Sequence, residues 1–403
     1  MLHSVLHSLR HRDFRVYYLG QLVSINGTWM QQVAQAWLVY RLTDSSTLLG
    51  LVAFAGLVPI LLLGLPAGVL ADRVSRHRLM VTAQALALLQ ALTLAALTLS
   101  GVVQVWHILL LALFLGTVHA LEMPARHSLL AQLVPRSDLP NAIALNSGMF
   151  NLARFIGPAI AGWLVALSGE GVVFLVNAAT FLVVLLSLLT IHPRAGSGQR
   201  RGTGAAIVEG VRYLWHEASL RNALFLLASV SLVMTAYSVL MPLFADRVFG
   251  GGPNLLGILL GSAGGGAFLA ALRLAYLGGR QTLERHIGVA ATIAGGSMIA
   301  FSQIPRLWLA LSLLAVTGYA LTTAIASINT LLQLQTPEAL RGRTMALFSV
   351  LFIGLTSIGN LAAGAAAERL GAPLTVTLFG TACLLAGAVY GWRHRSGDHP
   401  TDS

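Results

Sequence analysis

Long apolar runs, broken at short intervals by clusters of arginine, glycine and proline, set the pattern of this chain. A membrane-crossing α-helix needs about 20 largely apolar residues. Twelve runs of that kind predict helices over 14–41, 46–71, 78–100, 103–125, 142–168, 171–192, 220–246, 253–277, 284–304, 307–334, 343–367 and 371–393. Residues 1–13 read as a short amphipathic arm. The longest polar piece, 193–219, leaves the sixth helix through Pro193, Gly196 and Gly198. Within it Ile207, Val211, Leu214 and Trp215 recur at helical spacing against Glu209, Arg212 and His216, as in a helix lying in a membrane interface. The expected division is an N-terminal six-helix bundle over 1–192, a cytoplasmic linker over 193–219, a C-terminal six-helix bundle over 220–393 and a tail over 394–403.

The two halves repeat at an offset of 202 residues. Leu130–Pro135 aligns with Leu332–Pro337, Ala144 with Ala346, Phe150 with Phe352, Gly157 with Gly359 and Gly162 with Gly364. A parallel repeat of six helices is a transporter architecture, with the substrate path between the halves.

Composition narrows the class. Of 403 residues 56% are hydrophobic and only 10% charged, against roughly 25% charged in a soluble protein. The fold class is therefore an all-α membrane protein. All 25 bases are arginines, which excludes a lysine-dependent Walker A phosphate loop. Any active transport by this chain must draw on an ion gradient or on a separate subunit, and no cofactor is expected. The net charge of +11 is spread between the helices and not gathered in a soluble domain, so it marks membrane orientation and not a nucleic-acid partner. With the N-terminus inside, Arg41, Arg247, Arg306 and Arg369 fall outside, Arg154 lies in the membrane, and every other arginine is inside. Both termini are thus expected in the cytoplasm. The single cysteine, Cys383, excludes intrachain disulfides and thiolate metal clusters, and no metal is expected. No cleavable signal is visible.

Four groups carry candidate chemistry. Gly68, Asp72, Arg73, Arg76 and Arg78 crowd one acid and several bases between the second and third helices. Asp72 stands at a helix C-terminus, where the dipole disfavours an anion, so it needs outside compensation or serves only topology. Arg154 is the most costly residue in the membrane, about 2.5–3.5 kcal/mol at a helix centre unless paired or hydrated. His119, Glu122 and Arg126 share one face of the fourth helix. Glu122 pairs with Arg154 or with Arg126; the group either binds and releases a proton or is structural. Gly157, Pro158 and Gly162 in helix five permit close helix approach and a bend. Gln21, Thr28, Gln32 and Gln35 with Trp29 in helix one, and Tyr319, Thr323, Thr330 and Gln333 in helix ten, form polar stripes that suit a neutral or amphiphilic solute or hydrogen-bond neighbouring helices.

The stretch Gly68–Arg78 resembles the G-x-L-x-D-R-x-G-R-R-R loop of the major facilitator superfamily, with Ser75 at its second glycine. The resemblance implies that Asp72 faces the start of helix eleven near Arg341, Arg343 and Thr344, as a latch of the inner gate. It also implies that helices one, four, seven and ten line the cavity. Arg154–Gly162 resembles the G-P-x-x-x-G element of exporters in that superfamily. Leu9–Arg15, Gln35–Thr43, Met123–Leu130, Leu139–Ser147, Phe174–Phe181 and Glu209–Leu214 resemble its enterobactin-exporter and macrolide-efflux branch over nearly the whole chain, most strongly over 10–215. The superfamily's usual helix-four arginine is absent, and Thr28 follows Gly27 where the branch often carries an acid. The implied function is export of a hydrophobic or amphiphilic small molecule against protons by a monomer in a bacterial inner membrane, in contact with lipid. Import, uniport, lysolipid handling or sensing by the same fold are the alternatives. A membrane enzyme would need a nucleophile or metal set that the pattern does not offer.

Overall fold

The computed structural model describes residues 6–192, 216–277 and 283–395. Its long helices are α1 (Arg12–Thr43), α2 (Ser46–Arg73), α3 (Arg76–Leu99), α4 (Val105–Leu133), α5 (Leu139–Ser168) and α6 (Glu170–Thr190). They continue with α7 (Ala218–Leu243), α8 (Pro253–Leu277), α9 (Leu283–Gln303), α10 (Leu307–Gln335), α11 (Glu338–Leu370) and α12 (Ala372–Arg395). There is no strand among the described residues. Ten of these helices are long and apolar enough to cross a membrane. The two others are α1, which Gln21, Asn26, Gln31, Gln32 and Gln35 make too polar, and the amphipathic α9. The expected interfacial helix of 193–219 falls almost wholly outside the described residues, as does the tail from 396 onward.

Two boundaries differ from the sequence reading by five residues or more. The fourth helix does not stop near Pro124 but runs on to Leu133, with the proline inside it. Proline removes one backbone hydrogen bond, and here packing outweighs that loss. Ala125, Leu129, Leu130 and Leu133 are buried with Phe14, Tyr17 and Met80 in one apolar cluster, which holds the continued helix against α1 and α3. The eleventh helix likewise begins at Glu338, so Arg341 and Arg343 lie in its first turns and not before it. The stretch Gly266 to Arg273 is helical within α8.

The chain forms two compact units. The first holds α1 and α3–α6, most of α2, and the opening Gly251–Gly261 of the eighth-helix region; the second holds Ser45–Leu51, α7, the rest of α8 and α9–α12. Within the first, α1 packs on α5 and α6, and α3 packs on α4 and α6. Within the second, α7 packs on α11 and α12, and α9 packs on α10 and α12. The same pattern recurs six helices later, so the repeat read from Gly157/Gly359 and Gly162/Gly364 is a repeat of packing as well.

The repeat extends to single contacts. In the first unit, a Cβ built on Gly162 would stand 2.9 Å from the Cα of Gly257 in α8. In the second, a Cβ on Gly364 would stand 3.0 Å from the Cα of Gly50 in α2. Each is a backbone-to-backbone crossing that a side chain would force apart.

Polar groups tie helix ends within each unit. Glu170 at the start of α6 accepts two hydrogen bonds from Arg41 at the end of α1, at 2.8 and 3.1 Å. The carboxylate is buried while the guanidinium is half-exposed. We expect Glu170→Gln to cost about 1–2 kcal/mol, the worth of a charge-assisted bond discounted for exposure, read as a lower melting temperature of the purified protein. In the second unit, Glu368 of α11 accepts from Ser45 Oγ at 3.1 Å, Ser46 Oγ at 2.8 Å and the Thr47 amide at 3.1 Å. It thereby caps the first turn of α2, whose amides lack helical partners.

Candidate functional site

The buried polar groups of the first unit gather on α1, α3, α4 and α6. Glu122 is 3% exposed and sits about 16 Å of helix before the Leu133 end of α4, at 1.5 Å per residue. Its Oε1 accepts hydrogen bonds from Gln84 of α3, at 2.6 Å, and from Arg126, one turn on in α4. Arg126 also lies over the ring of Phe150 in α5, 5.4 Å from its centroid. The buried carboxylate and the mostly buried guanidinium, 20% exposed, form a neutral pair, the least costly way to keep either charge in an apolar bundle. Of the two arginines that the sequence offered Glu122, Arg126 is the one hydrogen-bonded to it. His119, one turn before Glu122, is half-buried. Arg154 is half-buried one turn beyond Phe150 on α5.

Farther along the same helices, a second polar set links three elements. Gln31 of α1 donates to Gln90 of α3 at 3.0 Å and accepts from Asn177 of α6 at 2.7 Å. Thr180 closes the set on Asn177 at 2.9 Å. The sequence reading passed over these residues. Gln31 and Gln90 are 59 positions apart and Gln31 and Asn177 146 apart, and no local spacing reveals such a pair. Three amides buried in otherwise apolar runs were the available signal.

The predicted stripe on helix one does not share one environment. Gln21 is buried, Thr28, Trp29 and Gln35 are half-buried, and Gln32 is exposed. Thr28 bonds back to the Ser24 carbonyl at 3.0 Å. Trp29 packs where a Cβ on Gly157 would meet it at 2.7 Å, so this glycine accommodates an aromatic ring of α1. In α10, Thr323 is buried, Tyr319 and Thr330 are half-buried, and Gln333 is exposed and bonds to Asn329 at 2.6 Å. Pro158 is buried inside α5.

Around the predicted latch, Arg76 is half-buried at the start of α3 and Arg78 is exposed. Arg341 donates to the Gln333 carbonyl at 3.0 Å, capping the last turn of α10. The side chains of Gly68, Asp72, Arg73 and Arg343 lie outside the described residues.

One charged contact was not foreseen. Residues 7–10 form a single 3-10 turn that straps the turn before α5. Asp138 accepts from His11 at 2.7 Å and from Arg10 at 2.9 Å, and the Ser8 amide donates to Asn141 at 3.0 Å. The hydrogen bond from His11 first, with those from Ser137 and Arg10, holds the Asp138 carboxyl at about 2, below its ordinary 3.8. A depressed carboxyl stabilises the fold above its unfolded value and loses that contribution as pH falls. The strap is therefore expected to hold above pH 3.8 and to release as the pH falls through about 2. Protease cleavage after Arg10 or Arg12 should stay slow until that range, and should become fast at neutral pH in Asp138→Asn.

Residues 3–399 match the family described as transmembrane secretion effector. This chain belongs to that family, within the major facilitator superfamily. Among its relatives, the multidrug efflux pump Tap of Mycolicibacterium fortuitum is 28% identical over 375 residues, covering 90% of this chain and 91% of that one. The staphyloferrin A transporter of Staphylococcus aureus is 26% identical over 64% of this chain and 66% of its own. The enterobactin exporter EntS of Shigella boydii is 26% identical over 94% and 91%. Among solved structures, a bacterial homologue of the human lysosomal transporter Spinster superposes with a TM-score of 0.75 at 15% identity, over 98% of this chain and 99% of that one. The nucleoside transporter NupG gives 0.73 at 14% identity, over 95% and 99%. At such identities the structures share the fold alone. The chain is thus a multi-pass helical membrane protein of the major facilitator fold, and its family and these relatives are transporters, not enzymes.

Proposed function

We propose that this chain is a secondary active transporter of a bacterial inner membrane that exports a hydrophobic or amphiphilic small molecule by proton antiport. The observation that carries the reading is Glu122, a carboxylate buried inside a membrane helix and poised against Arg126 and Gln84. A charge there is costly unless it has a task. Protonation of Glu122 frees Arg126, and return of the proton restores the pair; His119, one turn before it on α4, and Arg154 on α5 assist this exchange. The proton gradient is the energy source, and no cofactor takes part. The named relatives, a drug pump and siderophore transporters, support export of an amphiphile.

In this reading α1 and α9 cross the membrane with the ten more apolar helices, which gives twelve crossings in two six-helix bundles with both termini in the cytoplasm. Access alternates by rocking of the bundles, with Gly68, Asp72, Arg73, Arg76 and Arg78 latching against the start of α11 at Arg341 and Arg343. Gly157, Pro158 and Gly162 shape the exporter-type bend of α5. The polar stripes on α1 and α10 supply cavity surface for the solute. The test is accumulation of a dye and macrolide panel in efflux-deficient cells that produce this monomer. Lower accumulation, reversed by a protonophore, is expected. Accumulation equal to that of empty cells for every compound, or lowered regardless of the protonophore, would remove the reading.

A further inference from the structure

The layer around Glu122 holds more hydrogen-bonding capacity than its protein partners use. Among the described residues, Tyr17 Oη, both amide atoms of Gln21, Gln84 Oε1 and Arg126 Nε are buried and bond to no other protein group. Tyr17, Gln21 and Gln84 are each 1% exposed. Tyr17 lies close enough to Glu122 and Arg126 to feel both charges. It also belongs to the apolar cluster of Met80 and Ala125. Gln21 stands one turn beyond Tyr17 on α1, and Gln84 one turn beyond Met80 on α3. Gln21 and Gln84 thus each stand one helical turn from a member of that cluster, and Arg126 follows Ala125 of it directly.

A dry layer is hard to reconcile with a folded protein. Each buried polar atom left without a partner is destabilising, and five together would offset much of the small net stability of a typical domain. Turning the Gln84 amide does not help, because its carbonyl would then face the Glu122 carboxylate. The set offers donors (Tyr17, Gln21, Arg126 Nε–H) and acceptors (Tyr17, Gln21, Gln84) on three helices, and a buried water needs about 2–4 such partners.

We propose that Tyr17, Gln21, Gln84 and Arg126 line a buried chamber that holds a small cluster of water beside Glu122, and that this water solvates the Arg126 cation whenever Glu122 takes up a proton. The second half rests on the proton-site reading of Glu122; the first does not. The logic is charge balance. When Glu122 is neutral, Arg126 loses its charged partner and keeps the face of Phe150, and an uncompensated cation in a largely apolar bundle would drive the proton off again. Water anchored on the three acceptors lets the protonated state persist long enough for a conformational step. Tyr17 is in this account a positioning residue.

Radiolytic hydroxyl labelling of the intact protein in nanodiscs, in water enriched with oxygen-18, tests the chamber. A buried ring next to bound water is oxidised, and a dry buried ring is not. Phe14 and Phe174, both 0% exposed, are internal controls. Expected is incorporation at Tyr17 with none above background at the two phenylalanines, and loss of the Tyr17 signal in Gln84→Leu or, should that variant not fold, in Gln21→Leu. Tyr17 as silent as Phe14 would overturn the chamber. For the second half, Tyr17→Phe should move the pH midpoint of transport while Glu122→Gln removes pH dependence altogether. An unmoved midpoint in Tyr17→Phe overturns the solvation role alone. PH dependence surviving in Glu122→Gln overturns the proton site, and the labelling result still decides the chamber.

Discussion

Transport driven by a pH gradient should fall to the level of protein-free vesicles in Glu122→Gln, while substrate exchange without a gradient continues. Glutamine keeps an acceptor for the Gln84 amide, so the α3–α4 contact survives. What disappears is the titratable group and the partner of Arg126. Losing one member of a buried ion pair costs about 3–5 kcal/mol, since the other charge stays behind. A lower melting temperature is therefore expected in the single variant. Adding Arg126→Gln to Glu122→Gln should recover most of that stability and none of the coupling. The pair thus separates two roles that one variant confounds. If the double variant were as unstable as the single, the ion pair would not be what holds this layer together. Continued gradient-driven transport in Glu122→Gln would place the coupling elsewhere.

Gly162→Leu should be strongly destabilising and should stop transport, whereas Gly148→Ala, about four turns earlier in the same α5, should be neutral or stabilising. A Cβ at 162 meets the Gly257 backbone at 2.9 Å, and backbone cannot rotate away as a side chain can. Overpacking typically costs about 1–3 kcal/mol, and contact with backbone places this case at the upper end. Gly148 has nothing within 4 Å of its built Cβ. There alanine gains helix propensity, about 0.8–1.0 kcal/mol over glycine. Gly364→Leu should copy Gly162→Leu, because the second unit repeats the crossing at Gly50. Melting curves of the variants check the signs, and equal effects at 148 and 162 would refute the packing argument.

Much of this was legible in the sequence, and what was not has physical causes. Helix positions followed from apolar length, because a bilayer fixes how long a run must be. The Glu122–Arg126 contact was readable from a spacing of four residues, which one helix turn brings together. Gln84 as the second partner was not, because it arrives from another helix whose rotation no local pattern states. The end of α4 was misjudged at Pro124 because a local breaker was weighed without the packing of Leu129, Leu130 and Leu133 that outweighs it. The strap of Arg10 and His11 on Asp138 joins segments 127 and 128 positions apart. Its only sequence trace was a basic run whose partner could be any acid. On helix one the burial of individual residues was not legible either. Regular spacing suggested one surface, but the helix passes from the buried layer at Gln21 to an exposed position at Gln32.

The most direct test of proton-driven export is made with purified protein in vesicles under an imposed pH gradient, with a permanently charged amphiphilic dye as cargo. Such a dye does not partition by pH on its own. The account predicts uphill dye movement coupled to downhill protons, collapse on adding a protonophore, and no uphill movement in Glu122→Gln. Dye movement of the same size with and without the gradient, in protein that is folded and reconstituted, would contradict it.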